Sequence, residues 1–161
     1  MEYIEVNKII FRGKQNIAWN DVEKYLRKYD GLAIYNKEYG DYIIINALFA
    51  DEYTSSNYTK RLRGGLAKTK ANIVQVIPEL LSSASNRRWV ENKDKKHSKN
   101  AIRGWYRYDV YFVVQVYDNV ENANRKNYYN ATAVARINDK GIFLHDIINI
   151  KKEACKPTDY S

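Results

Sequence analysis

Trp105-Tyr106-Arg107-Tyr108-Asp109-Val110-Tyr111-Phe112-Val113-Val114-Gln115-Val116-Tyr117 is the stretch on which the fold turns. Aromatic and β-branched residues dominate it, so it is read as a long strand. Tyr128 to Ile137 and Ile142 to Ile150 repeat that character. Between those two runs, Asn138-Asp139-Lys140-Gly141 supplies a tight hairpin turn. The earlier link, Asp118 to Asn127, reads as a longer polar loop. Three consecutive strands joined in this way form an antiparallel meander with helices packed on one face.

Upstream, the longest helix is expected from about Tyr58 to Ala84, capped by Ser55, Ser56 or Asn57. On a helical wheel Leu62, Leu66, Ile73, Ile77, Leu80 and Ala84 form one apolar stripe, and Lys70 falls close to it. Arg61, Lys68, Asn72 and Gln75 share a polar flank next to Gly65. Pro78 is expected to kink or split the helix. Asn86 to Arg103 reads as a charged loop. Nearer the start, Asn20 and Glu23 suggest a capping box for a short helix ending near Asp30-Gly31. Leu32 to Tyr35 and Tyr42 to Phe49 read as two strands. The whole, residues 1–161, is expected to be one α+β domain, with 1–48 as an N-terminal helix and hairpin layer.

The 161 residues carry 27 Lys+Arg and 19 Asp+Glu, for a formal charge of +8. From Lys60 to Arg107 there are 13 basic and 3 acidic residues, so that segment is +10 and the remainder −2. A concentrated basic block repels itself unless a polyanion offsets it, which points to nucleic acid as partner. A solvated basic face is the plainer alternative. Cys155 is the only cysteine, which excludes an internal disulfide and suggests a reducing, cytoplasmic setting. The start of the chain lacks the apolar run of a signal peptide, and no stretch is long enough for a membrane helix, so no membrane partner is expected.

No GxxxxGK[ST] or GxGxxG motif is present, so no nucleotide cofactor is expected. One Cys and two His make a zinc site implausible, and no carboxylate cluster suggests a two-metal nuclease; no metal is expected. What remains is metal-independent RNA cleavage, in which the ribose 2′-OH attacks the adjacent phosphodiester. That chemistry needs proton-transfer groups and cations around the phosphorane. His97 lies amid Lys93, Lys95, Lys96 and Lys99, and is the candidate acid or base. Arg61, Lys68, Lys96, Arg103 and Arg136 are candidate phosphate contacts. Gly64-Gly65 would let a phosphate backbone approach a helix, or would serve a tight helix–sheet crossing. His145 reads as a core or edge histidine, opposite in facing to Leu144 and Asp146. Asp146 is a polar residue on an apolar face, so it is either well hydrogen-bonded or functional.

Several runs resemble a known pattern: Asp51 to Lys60, Lys68 to Asn72 with Pro78 to Leu81, Glu91 to Lys93, Lys96-His97, Gly104 to Tyr108, and Asp146 to Glu153. Together they resemble the phage-associated members of the barnase–EndoU–colicin E5/D–RelE-like (BECR) nuclease group, over about residues 49–153. The resemblance implies a barnase/RelE-like fold and a ribonuclease-like site on the sheet face. It places His97, Lys70, Tyr106 and Arg107 in catalytic roles, with Asp146 beside the phosphate. The family pattern has an aromatic residue where His145 stands, which argues against a fixed role for His145. RNA, with tRNA among the candidates, is the implied partner, and a cognate inhibitor or host protein is a further one. The alternatives are an inactive nucleic-acid-binding or anti-defence protein, and a basic module that binds an acidic protein.

Overall fold

The computed structural model describes residues 2–13, 16–92, 103–116 and 125–154. Its three longest strands are β5 (Gly104–Val116), β6 (Arg125–Asn138) and β7 (Gly141–Lys152), paired antiparallel in chain order. The meander and the Asn138–Gly141 turn therefore stand as expected. Alternation explains the pairing. Tyr108, Val110, Phe112, Ala131, Ala133, Ala135, Leu144 and Ile147 are buried on one face against the helices.

The sheet extends beyond the meander. β1 (Ile4–Val6) joins β5 in parallel, and β3 (Tyr42–Ile44) joins β7 in parallel. β2 (Ala33–Tyr35) pairs with β3, and β4 (Ser85–Glu91) pairs with β5. The architecture is thus α+β on a mixed, mainly antiparallel sheet. The N-terminal hairpin is part of that sheet and not a separate layer.

Three expectations are corrected. The charged loop from Asn86 begins as strand β4, on which Trp89 and Val90, facing opposite sides, are both exposed. Its Trp89 ring lies on Gly104, where a Cβ would come within 2.7 Å of the indole, so this position requires glycine. The strand from Tyr42 stops at Ile44. The Asn46 side chain accepts the Leu48 N–H in a local turn, and Phe49 opens helix α2 (Phe49–Ser55).

The single long helix is broken into α3 (Asn57–Arg61), α4 (Gly64–Asn72), a 3-10 turn (Ile73–Val76) and α5 (Ile77–Ser83). Leu62 and Arg63 are extended and Gly64 has φ +61°, a conformation open to glycine, so the helix cannot run through. Leu66 is consequently 37% exposed, off the expected stripe, whereas Ile73, Ile77, Leu80 and Ala84 are buried. Pro78 sits in the first turn of α5, where its missing N–H costs nothing. A Cβ on Gly64 or Gly65 would meet nothing within 4 Å, which removes the tight-crossing explanation of that pair. Ser56 does cap α3, accepting from the Thr59 N–H. Helix α1 (Trp19–Leu26) forms without the expected Asn20 cap.

Candidate functional site

A groove of about 740 Å³ lies on the side of the sheet away from the core. One wall is the α2–α3 junction, from Asp51 to Tyr58. The floor is Trp105 and Arg107 of β5, Val134 of β6, and His145, Asp146 and Ile148 of β7. The end of β4 forms the other wall.

The floor depends on a local irregularity. Val134 pairs with Asp146 and the next residue, Ala135, pairs with Leu144, so β7 carries one extra residue there. The extra residue breaks the alternation of the strand. His145 and Asp146, consecutive in the chain, both line the groove as a result.

His145 is held by two side chains. Its Nδ1 lies 3.0 Å from Glu52 Oε2, and the Arg136 guanidinium lies 2.9 and 3.0 Å from the two Glu52 oxygens. Arg136 also donates to Asn46 Oδ1 at 3.3 Å, and its NH1 is 3.4 Å from His145 Nδ1. A guanidinium only donates, and a carboxylate only accepts, so the proton on Nδ1 belongs to the bond with Glu52. Nε2 is left as the nitrogen free for chemistry. Burial pushes the Glu52 carboxyl upward, but His145 and Arg136 outweigh it and hold it below its ordinary value. Trp105 meets the imidazole edge-on, with ring centres 5.0 Å apart.

Below the floor, Lys70 is wholly buried. Its Nζ donates to Asp146 Oδ1 and to Thr59 Oγ1, each at 2.6 Å, and lies 4.3 Å from the centre of the Tyr53 ring. Burial lowers its affinity for a proton, and Asp146 opposes that shift.

The expected site residues separate into groups. Arg107 lines the groove, while Lys70, Asp146 and Arg136 cluster in and beneath it. Tyr106 points to the opposite face of β5, packed on Trp89 and under the Arg87 guanidinium, so it is not beside Arg107 in the site. Adjacent strand residues face opposite ways, which the linear motif conceals. Arg103 is exposed and paired with Asp139 at 3.0 Å. Arg61 is exposed at the end of α3, and Lys68 is half-buried on α4; neither lines the groove. Lys96 and His97 lie outside the described residues.

The basic block from Lys60 to Arg107 therefore does not converge on one surface among the described residues. Arg87 pairs with Asp41, Arg88 with Asp109, and Lys70 with Asp146. Glu52 had no role in the sequence reading, and His145 was set aside. Glu52 lay in the Asp51–Lys60 run that carried the family resemblance, the one signal that marked its neighbourhood.

Among the described residues no three His, Cys, Asp or Glu side chains gather as a metal cluster, and no helix is long and apolar enough to cross a membrane. Comparison with known proteins found no matching family model, no similar curated protein and no similar solved structure.

Proposed function

We propose that this chain is a metal-independent ribonuclease-like domain of barnase/RelE-like type, and that its groove cleaves RNA by 2′-OH transesterification. The supporting observation is His145, whose Nδ1 is fixed on the Glu52–Arg136 pair while its ring borders an open groove. A carboxylate behind the imidazole sets its orientation and stabilises the imidazolium that forms when Nε2 takes a proton. Arg107, on the same floor, supplies positive charge for the phosphorane.

In this reading neutral His145 takes the 2′-OH proton at Nε2. The O2′–P bond forms as the P–O5′ bond breaks, the leaving alkoxide takes a proton from water in the open groove, and the hydroxide left there takes back the proton held on His145 Nε2. The products are a 2′,3′-cyclic phosphate and a free 5′-OH. Arg136 and Glu52 act through His145. Lys70 and Asp146 support the floor.

The test is total RNA and tRNA incubated in EDTA with the protein, with His145→Ala and with His97→Ala. Cyclic-phosphate ends should appear, and His145→Ala should lower their rate by about 10²–10⁴-fold. Loss in His97→Ala as well would identify His97 as a second proton carrier. Intact RNA, or cleavage unchanged in His145→Ala, would sink this reading.

A further inference from the structure

Among the described residues that line the groove, Arg107 is the one lysine or arginine present. Glu52 is bonded to Arg136 and His145, and Asp146 Oδ1 to Lys70. Asp109, two residues from Arg107 on the same strand face, is also taken: Arg88 donates to Oδ1 and Asn86 to Oδ2, each at 2.8 Å. Arg107 has no ion pair among the described residues, and its Nε is a buried donor without a hydrogen-bond partner. That nitrogen is closed to solvent, so a ligand in the groove meets the guanidinium at its terminal nitrogens, which are not among the buried atoms without a partner. Asp51 and Glu91, on the two walls of the same groove, have no ion pair among the described residues. Acids on both sides would repel a run of phosphates, yet they leave the centre, at Arg107, positive.

We infer that the groove binds a single phosphate group, with Arg107 as its anchor. The inference rests on the ribonuclease reading for the identity of the ligand as a short RNA segment. The phosphate site itself follows from the pairing of the surrounding charges. The two terminal nitrogens of the Arg107 guanidinium can each donate to a phosphate oxygen, a paired geometry that guanidinium favours. The groove volume is within the range that encloses one small ligand.

The test uses three probes that the protein cannot cleave: inorganic phosphate, a 2′-O-methyl RNA dinucleotide with one phosphodiester, and a 2′-O-methyl RNA ten-mer. The Arg107 Nε–H resonance should shift on titration with phosphate and with the dinucleotide. Arg107→Gln should weaken the dinucleotide about tenfold or more. The salt dependence of binding should have a slope near about −0.7 for both oligonucleotides, the value for one phosphate on a single strand. A slope of about −3 or steeper for the ten-mer would show that further cations, those of residues 93–102 included, grip the strand, and would overturn the inference. An unmoved Nε–H signal, or no binding at low salt, would overturn it too. Phosphate binding without RNA cleavage would defeat only the ribonuclease reading. Cleavage with Arg107 undisturbed would defeat only the single-phosphate site.

Discussion

Two charged clusters meet at consecutive residues of β7, His145 and Asp146, and they differ in access to water. Lys70–Asp146–Thr59 is sealed, with Lys70 at 0% exposure. Arg136–Glu52–His145 buries its guanidinium but leaves the His145 side chain 27% exposed. A sealed pair has no substrate to meet, so its effect falls on stability. An open one can exchange protons with a ligand. Neighbouring residues of one strand thus serve different ends, and substitutions should separate them.

The largest effect is expected from Lys70→Met, which leaves the buried Asp146 without a countercharge, held by the Ile147 N–H alone among the hydrogen bonds of the described residues. Urea unfolding should show a loss of about 3–5 kcal/mol, and Lys70→Met with Asp146→Leu should recover much of it. A loss under about 1 kcal/mol would erase the distinction between the clusters.

Next comes Glu52→Gln, which removes the charge opposite Arg136 and turns one of its two accepting oxygens into a donor, and should cost about 1–3 kcal/mol at neutral pH. It also tests a pH limb. The folded-state pKa of Glu52 is lowered, so its stabilising contribution is present above the ordinary glutamate value and is lost as pH falls through the lowered one. Unfolding measured from pH 7 down to pH 3 should therefore be less steep in Glu52→Gln than in the parent.

His145→Ala should shift stability by under about 1 kcal/mol, because the ring is partly open, while abolishing most RNA cleavage. Large destabilisation there would make His145 a second structural anchor and dissolve the contrast. Smallest of all, Arg103→Ala should change stability by about 0.5 kcal/mol or less, since the Arg103–Asp139 pair is 61% and 73% exposed. A thermal melt would reveal anything larger.

The meander was legible because alternation and the Asn138–Gly141 turn are local signals, and each strand is long enough to display them. The broken helix was not. The wheel assumed one continuous axis, and the left-handed Gly64 that ends it shows nothing in hydrophobic periodicity. The candidate site divided in the same manner. Lys70, Arg107, Arg136 and Asp146 were found as polar residues in apolar or motif settings. His145 was lost because strict alternation pointed it away from Asp146, and an extra strand residue cannot be seen without the register of the partner strand. Tyr106 was placed in the site by the family resemblance, together with Arg107, and as its neighbour on a strand it faces the other way.

The outer edge of β5 is occupied by two segments, β4 along its first half and β1 against Phe112–Val114. Ile4 meets Phe112, so during synthesis the first strand waits for more than a hundred residues before its berth exists. Trimming the chain past Val6 would bare the backbone at Phe112–Val114, an open β rim to which another copy could attach, and self-association would be the cost of the cut.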